Sequence, residues 1–398
     1  MNILIIGGGA SGMMAALTAA QNGHTVTLLE RQARLGRKLL ATGNGRCNLT
    51  NQNASPAHYH GGDFAAPAFA AFGVADTLSF FAGLGLVTLT EESGRVYPFS
   101  NMAGSVLDVL RFALERPGIT VETSQVVTEI RKTGKGFSVK TETDTFTADR
   151  LILAAGGCAG GKVGGVMDGY RLAKALGHRR TALYPSLVQL KTDPTYPRAL
   201  KGIKAEAAIT IRRGREVIAQ NRGEILFTEY GVSGPAIFDI SRAAATGGEG
   251  LTCCLNFFPD WSEEDVLHYV NQRKTAMAAH EAGTLLTGAL HARLGQMVCK
   301  SAGFTNQSAA SLTEADLQKI AQQATAFTLP ITGVCGFDQA QVTAGGLDTG
   351  EFDPTTLQSR LVPGLYACGE VLDVDGECGG YNLQWAWSSG HLAGQLLN

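Results

Sequence analysis

Three glycines near the amino terminus have a spacing that suits the binding of a diphosphate. Gly7, Gly9 and Gly12 follow an apolar run at residues 3–6 and give the pattern G-x-G-x-x-G. In such a turn the first glycine allows a tight bend, the second lets the backbone approach the diphosphate, and the third lets the helix pack closely against its strand. A helix that begins near Ala10 would direct unpaired N–H groups towards the anion.

A carboxylate follows at the distance expected for a ribose contact. The predicted second strand, residues 25–29, ends at Glu30, where an acidic side chain in this kind of fold binds ribose hydroxyl groups. The glycine pattern alone is a weak signal. A strand before it, a helix after it and this acid together predict a dinucleotide site, for which NAD and FAD are both candidates.

The segment after Glu30 favours FAD. Residues 31–51 are basic and rich in glycine, whereas a nicotinamide-binding domain normally continues directly into its next strand–helix unit. Basic side chains there could reach the phosphates, and small residues could lie along a flat ring. The basic residues that could reach phosphates are Arg34, Arg37, Lys38 and Arg46, and the small or short polar residues are Ala41, Thr42, Gly43, Asn44 and Gly45.

Two later strands are predicted to reach the same site. An apolar strand at residues 151–155 ends at Gly156, and another at residues 365–368 ends at Gly369 and Glu370. Both have the short, continuous apolar pattern of parallel strands that are covered on two faces. Their carboxyl ends are therefore expected beside the glycine-rich turn.

A helix that starts at a glycine pair completes the predicted site. Gly379 and Gly380 precede Asn382 and a helix expected over residues 383–397. Adjacent glycines suit a sharp bend and a close approach of backbone to a ligand. The positive end of this helix would stabilise negative charge on a reduced flavin ring by about 0.3–1 kcal/mol, up to ~2 when partly buried. The sequence thus predicts that the two chain ends meet around one FAD.

Composition and charge narrow the class of protein. A chain of 398 residues is longer than a domain with a single hydrophobic core usually is. The net charge of −2 gives no electrostatic reason to expect binding to nucleic acid or to an anionic membrane. We therefore predict a small-molecule substrate and no nucleic-acid or membrane partner, while the sequence leaves the oligomeric state open. The eight cysteines contain no C-x-x-C pair, so no metal site is expected, and their use fits a reducing cytoplasm.

The middle of the chain interrupts the alternation of strands and helices. Residues 119–150 alternate apolar and polar side chains and predict a small antiparallel sheet of about three strands with a turn at 134–136. Later strands are expected at 181–191, 205–212, 216–220, 225–229 and 251–258. Capping pairs at Ser262 with Asp265 and at Thr313 with Asp316 predict two helices.

The predicted fold class is α/β, with a Rossmann-like FAD-binding domain that contains a parallel sheet and a small antiparallel sheet. An inserted substrate domain, which is first β-rich and then helical, interrupts it. The predicted bounds are 1–181 and 335–398 for the FAD-binding domain and 182–334 for the insertion, divided into a β-rich part, 182–260, and a helical part, 261–334.

The sequence assigns no catalytic side chain. Cys47 and Cys378 flank the predicted ring site, but neither has a second cysteine at a redox-active spacing, so packing beside the ring is expected of both. Tyr97 is a conceivable proton donor and equally an ordinary packed tyrosine. The eight histidines have no metal-binding spacing.

Long stretches of the chain resemble the bacterial BaiN-like flavoprotein family. They include "LGRKLLATGNGRCNLTN", "GRVYPFSNMAGSVLDVL", "GEILFTEYGVSGPAIFDISR" and "GLYACGEVLDVDGECGGYNLQWAWSSGHLAG". The resemblance implies non-covalent FAD in a glutathione-reductase-type domain, with Glu370 in place of the aspartate that such domains carry near the ribityl chain. It implies FAD contacts at Ser11, Glu30, Arg31, Lys38, Val127, Gly369, Glu370, Asn382 and Leu383.

The predicted function is that of a FAD-dependent oxidoreductase that passes hydride from NAD(P)H to an unsaturated or carbonyl-bearing small molecule. Only one full dinucleotide fingerprint is present, so a nicotinamide donor would bind transiently. One alternative is an amine or aminoketone oxidase that uses O₂. Another is a flavin-dependent protein that binds or modifies tRNA.

Overall fold

The computed structural model describes residues 1–397, and these form two compact units. Unit 1 comprises residues 1–184 and the described residues from 337 onwards, and unit 2 comprises residues 185–336. The division falls two to three residues beyond the bounds expected for the insertion.

The secondary structure of unit 1 begins with the elements of its first segment. They are β1 (Asn2–Ile6), α1 (Ala10–Gln21), β2 (Thr25–Leu29), α2 (Arg37–Ala41), β3 (Thr50–Asn51), β4 (Tyr59–His60), α3 (Gly62–Ala71), α4 (Val74–Gly83), β5 (Thr88–Thr90), β6 (Arg95–Pro98), α5 (Ala103–Leu114), β7 (Ile119–Glu122), β8 (Val127–Lys132), β9 (Phe137–Thr141), β10 (Thr145–Ala148), β11 (Arg150–Leu153) and α6 (Asp168–Ala175).

The short strand β12 (Tyr184–Ser186) lies at the boundary, and the rest of the chain follows it. Unit 2 contains β13 (Leu190–Thr192), β14 (Lys204–Arg213), β15 (Glu216–Phe227), β16 (Gly231–Ser233), α7 (Pro235–Thr246), β17 (Leu251–Asn256), α8 (Glu263–Ala276), α9 (Ala292–Ser301), α10 (Glu314–Thr325) and β18 (Phe327–Val334). Unit 1 then resumes with β19 (Val342–Ala344), β20 (Leu365–Ala367), β21 (Asp375–Gly376) and α11 (Tyr381–Gly394).

A five-stranded parallel sheet organises unit 1. Its order is β20-β11-β1-β2-β7, so the strands from both ends of the chain lie in one sheet. Helices α1 and α11 pack closely, because a Cβ at Gly390 would lie 2.4 Å from the Ser11 carbonyl oxygen and one at Gly394 would lie 2.7 Å from that of Ala15. The close packing brings the two ends of the chain together, and the predicted Rossmann-like class is confirmed.

Smaller antiparallel sheets complete unit 1. Strands β8, β9 and β10 form the predicted three-stranded sheet, in the order β10-β9-β8. A second three-stranded sheet has the order β3-β6-β5, in which β5 is an edge strand. It follows the glycine-rich loop after α2 and becomes important for the site described below.

Unit 2 is built on a closed antiparallel barrel. Its six strands have the order β13-β16-β15-β14-β17-β18. Alternate residues of β14, including Ile209 and Ile211, are buried in its core. The predicted capping pairs are confirmed, because the hydroxyls of Ser262 and Thr313 accept the N–H groups of Asp265 and Asp316 at 3.1 and 3.3 Å.

Five expectations about elements were wrong in detail. The strand predicted at 181–191 is two short strands, β12 and β13, which belong to different sheets. Strands predicted at 216–220 and 225–229 are one continuous strand, β15. Helix α7 lies in the part expected to be β-rich, and β18 lies in the part expected to be helical. Pro330 interrupts the strand pattern of β18, yet it pairs opposite Thr252 inside the barrel. The last helix begins at Tyr381 and ends at Gly394 instead of spanning 383–397.

Two features of the described residues bear on cofactors and membranes. No group of three or more histidine, cysteine, aspartate or glutamate side chains between residues 1 and 397 could hold a metal ion. Over the same residues no single helix has the length and apolar character to cross a membrane, and the bent pair α3 and α4, which meet at 45°, passes by length and composition only.

A buried histidine connects the segment after α6 to the loop before β20. His178 Nδ1 lies 2.9 Å from Glu351 Oε2, and its Nε2 lies 2.9 Å from Ser359 Oγ. Serine, histidine and glutamate are linked here as they are in a hydrolytic triad. The His178 side chain is 0% exposed, however, so no substrate can reach it. Ser359 Oγ also accepts the N–H groups of Leu361 and Val362, so the cluster is structural.

This cluster predicts that the protein loses stability in mild acid. Burial lowers the pKa of His178, although Glu351 opposes the shift. The unfolded chain therefore binds more protons once the pH falls below about 6.5, and the free energy of unfolding drops there. Guanidinium unfolding at pH 7.5 and 5.5 should show that drop in the wild type and a smaller one in His178→Gln. The exposed His280→Gln variant should retain the wild-type drop; an equal drop in His178→Gln contradicts the assignment.

Candidate functional site

Of the three glycines that form the G-x-G-x-x-G pattern at the turn between β1 and α1, two leave no room for a Cβ and one does. A Cβ at Gly7, where φ is +110°, would lie 2.3 Å from the Ala154 carbonyl oxygen, and one at Gly12 would lie 1.9 Å from that of Gly7. A Cβ at Gly9 would meet nothing within 4 Å. Gly7 and Gly12 thus permit the bend and the close helix, whereas Gly9 faces open space, beside Ala10 at the helix start.

Glu30 lies beside this turn, at the end of β2. Its Oε2 accepts the N–H of Gly8 at 2.8 Å, and its Oε1 accepts that of Gln32 at 2.7 Å. Backbone donors therefore fix the carboxylate next to the position predicted to bind the diphosphate. This is the place where the sequence predicts a ribose contact.

A short charged chain links Arg31 to Val127. Arg31 Nη1 lies 2.8 Å from Asp168 Oδ2 at the start of α6. Arg171, one turn later, donates from Nη2 to the Val127 carbonyl oxygen at 3.4 Å. Arg31 and Val127, both of which the resemblance assigned to FAD, thus lie in one region, and Asp168 connects them.

Lys38 and Glu370 bring α2 and the end of β20 together. Lys38 Nζ lies 2.6 Å from Glu370 Oε2, and both side chains are less than one-third exposed. Glu370 Oε1 accepts the N–H of Thr343 at 2.9 Å. A Cβ at the nearby Gly156 would meet nothing within 4 Å, so a second open position lies at the end of β11.

Gly369 and Ser11 join the two halves of this arrangement. A Cβ at Gly369, where φ is +76°, would lie 2.4 Å from Ser11 Oγ, so only glycine fits. The Gly369 N–H donates to Ser389 Oγ at 2.9 Å, and the Gly369 carbonyl accepts from Trp385 Nε1 at 3.1 Å. Helix α11 therefore fixes the strand end that carries Glu370.

The loop after α2 and the start of α11 form what we call the ring end of the site. Gly43 and Asn44 have left-handed backbones, with φ of 57° and 56°. A Cβ at Gly43 would lie 3.3 Å from Tyr97 Cε1. At Gly380, where φ is +102°, a Cβ would lie 2.5 Å from the Thr50 carbonyl oxygen. Glycine allows these segments to approach one another.

Asn382 and Leu383 lie in the first turn of α11, but the Asn382 side chain has another task. Its Nδ2 donates to the Gly376 carbonyl at 2.8 Å, and its Oδ1 accepts the Gly376 N–H at 2.9 Å. The side chain thus holds the loop before the glycine pair. Any contact of Asn382 with a cofactor is left to its backbone, and Leu383 is half-buried beside it.

The described residues fit FAD at both ends. Gly9 and Gly156 leave open space where a dinucleotide would lie against backbone. At the ring end Asn48 is 8% exposed and its Oδ1 is buried without a hydrogen-bond partner, 2.9 Å from the Cβ position of Gly380. Such an acceptor calls for a donor, and the N–H on the pyrimidine edge of a flavin supplies one.

The ring end also contains the groups that could exchange protons or electrons. Burial raises the pKa of Cys47 to about 12, so its thiol stays protonated and packs as expected. Tyr97 is 6% exposed, and the Arg46 guanidinium lies 3.9 Å above its ring. Burial raises the pKa of Tyr97, with Arg95 opposing the shift. All eight cysteines are free thiols.

Sequence reasoning missed two residues of this site. Asn48 and Asp168 each contact or border predicted FAD residues. Asn48 stands inside a stretch already predicted to lie along the ring, so its position was a usable signal. Asp168 comes from a distant part of the sequence, and only the tertiary fold places it here.

Comparisons with known proteins identify the family of this chain. Residues 1–396 match the family described as HI0933-like protein Rossmann domain. A 3-dehydro-bile acid delta(4,6)-reductase of Clostridium scindens is 40% identical, over 98% of this chain and 97% of its own length. A ribosomal RNA dihydrouridine synthase of Escherichia coli is 31% identical, over 99% of this chain and 97% of its own length.

Among solved structures, a 3-ketosteroid-delta4-(5alpha)-dehydrogenase of Rhodococcus jostii shares 15% identity at a TM-score of 0.48, covering 99% of this chain and 95% of that chain. The family match and the two curated relatives are sufficient by themselves to assign the family of this chain. The chain belongs to the HI0933-like family, which confirms the resemblance found in the sequence. It is a FAD-dependent oxidoreductase.

Proposed function

We propose that this member of the HI0933-like family is a reductase that takes hydride from NAD(P)H and delivers it to a carbon–carbon double bond conjugated to a carbonyl group. The observation that carries the proposal is the ring end, where the glycine segments, the unpartnered Asn48 oxygen and the Tyr97 ring lie together. The ring end thus combines backbone suited to a flat ring with a group that can supply a proton.

The names of the two curated relatives describe related reactions. A 3-dehydro-bile acid delta(4,6)-reductase reduces double bonds conjugated to a ketone, and a dihydrouridine synthase reduces the double bond next to a uracil carbonyl. Reduction of a double bond conjugated to a carbonyl group adds hydride to the carbon remote from the carbonyl and a proton to the carbon beside it. This shared chemistry supports an enone-type acceptor for the present chain.

In the proposed reaction the chain binds and orients. Bound FAD would supply the two-electron chemistry, accepting hydride from the nicotinamide and giving it to the acceptor. Gly9 and the start of α1 would hold the diphosphate, and Lys38 with Glu370 would lie along the linker to the ring. The positive end of α11 would favour negative charge on the pyrimidine edge.

The proposed proton donor is Tyr97. Of the acids near the ring end, Glu91 pairs with Arg46 at 2.8 Å, and Cys47 is sealed in the core. Burial raises the pKa of Tyr97, so its phenol stays protonated at neutral pH. A phenol that is protonated at neutral pH can deliver a proton to the acceptor and recover it from water.

Anaerobic stopped-flow absorbance tests the function in two steps. Mixing the oxidised holoprotein with NADH or NADPH should bleach the flavin band near 450 nm, and adding cyclohexenone or androstenedione to the reduced protein should restore it. Failure of both nucleotides removes the proposed donor. Recovery with O₂ and peroxide from amines, but with no enone, would instead support an oxidase.

A second candidate acceptor is uridine in ribosomal RNA, which the 31% identical Escherichia coli relative favours. The hydride and proton would add across the uracil double bond by the same route. Mass spectrometry of nucleosides from ribosomal RNA incubated with the reduced holoprotein decides between them: dihydrouridine would replace the small-molecule assignment, and its absence alongside enone turnover would support it.

A further inference from the structure

One face of the β3-β6-β5 sheet leads away from the ring end. In the antiparallel register Asn51 lies opposite Arg95, and Leu89 lies opposite Tyr97. The Phe99 N–H donates to the Val87 carbonyl at 2.8 Å, which extends the pairing by one step. Because opposite residues share a face and side chains alternate along a strand, Asn51, Val87, Leu89, Arg95, Tyr97 and Phe99 lie on one face, which we call the acceptor face.

The inner end of the acceptor face borders the ring end. Asn51 Nδ2 donates to the Gly379 carbonyl at 3.0 Å. Arg95 Nε lies 3.0 Å from the Cβ position of Gly379, and Tyr97 Cε1 lies 3.3 Å from that of Gly43. The three polar residues of this face thus touch both glycine segments that enclose the ring end.

The outer end of the same face is apolar and open. Val87 is 65% exposed, Leu89 52% and Phe99 71%, whereas Asn51 and Tyr97 are 3% and 6% exposed. Exposed large apolar residues grouped at the edge of a sheet are unusual in a folded protein and mark a surface that something covers. The face from Arg95 to Phe99 spans about 13 Å at ~3.3 Å per residue.

We propose that the acceptor face binds the substrate, with an apolar, fused-ring body on Val87, Leu89 and Phe99 and its enone at Tyr97. This inference rests on the proposed function and adds the class of acceptor. Continuity argues for this occupant, because the apolar residues are in line with the proton donor on one sheet face. A ligand lying flat on the face reaches both, and its length would match several fused rings.

The test compares a large and a small acceptor in the intact holoprotein. Leu89→Ser and Phe99→Ser change exposed side chains, so folding and FAD content should be preserved. Each should lower kcat/KM for androstenedione about tenfold (~1.4 kcal/mol) and change kcat/KM for cyclohexenone less than twofold. Phe112→Ser is the matched control, because Phe112 is 70% exposed on α5 and outside this face. Flavin reduction by NAD(P)H should be unchanged in all three variants.

Equilibrium dialysis of radiolabelled androstenedione with the oxidised holoprotein separates this inference from the proposed function. Weaker binding by Leu89→Ser and Phe99→Ser, with normal binding by Phe112→Ser, supports the acceptor face even where no turnover occurs. Unchanged binding in all variants overturns it. If light scattering shows a wild-type dimer that both substitutions dissociate, the face binds a second copy of this chain. If both substitutions abolish binding to vesicles, the face binds a lipid surface. Either result would also overturn the inference.

Discussion

Replacing Tyr97 by phenylalanine is expected to slow oxidation of the reduced holoprotein by an enone about 10²–10⁴-fold, the usual contribution of a positioned general acid. Flavin reduction by NAD(P)H should keep its wild-type rate, because that half-reaction needs no proton from the phenol. Stopped-flow absorbance measures the two half-reactions separately. The ring of Tyr97 packs against the Gly43 position and beneath Arg46, and phenylalanine preserves this packing.

The pH dependence distinguishes a proton donor from a packing residue. Burial raises the pKa of Tyr97, so the wild-type acceptor step should stay constant through neutral pH and fall only above about 10, the ordinary pKa of a phenol. The Tyr97→Phe variant should lack that fall. In D₂O the wild type should place deuterium on one face of the carbon beside the carbonyl, and the variant should place it on both faces.

Tyr366→Phe is a matched control for the loss of a buried hydroxyl. Tyr366 is 0% exposed and donates to the Leu397 carbonyl at 2.8 Å, at the carboxyl end of the described residues. This variant should lose some stability and keep both half-reactions. If Tyr97→Phe oxidises as fast as Tyr366→Phe, the proton comes from another group or from water.

The sequence was sufficient to predict the glycine-rich turn because that turn is local. Gly7, Gly9, Gly12 and Glu30 lie within one strand–helix–strand unit, and each position follows from backbone sterics and the reach of a short chain. Helix capping at Ser262 and Thr313 was predictable for the same reason, since the partner is three residues away. Local rules of this kind need no knowledge of the tertiary fold.

The ring end was predictable only in outline. The glycine pairs indicated that backbone approaches something, but not that Asn48 would have an unpartnered oxygen or that Tyr97 would pack on Gly43. The pairing of Lys38 with Glu370 spans 332 residues. The acceptor face was also hidden, because β5 and β6 are three and four residues long and too short for a clear alternating pattern.

We expect the largest effect on FAD affinity from a substitution at Gly9. At this position a side chain can impair FAD binding without impairing folding. Its backbone has φ of −81° and ψ of −173°, which any residue can adopt. A Cβ there meets nothing within 4 Å, unlike a Cβ at Gly7 or Gly12, which would collide with backbone. Gly9→Val should therefore fold normally and fill the space that the diphosphate needs.

We expect Gly9→Val to weaken FAD binding at least 100-fold, which corresponds to about 2.8 kcal/mol at ~1.4 kcal/mol per decade. Fluorescence titration of the apoprotein with FAD gives the affinity, and thermal unfolding of the apoprotein gives its stability. Gly104→Val is the control, because a Cβ at Gly104 also meets nothing within 4 Å but lies in α5, away from the turn. Both apoproteins should melt within a few degrees of wild type. Tight FAD binding by Gly9→Val would place the diphosphate elsewhere and remove the basis for the whole site, because the ring end is assigned from the same dinucleotide.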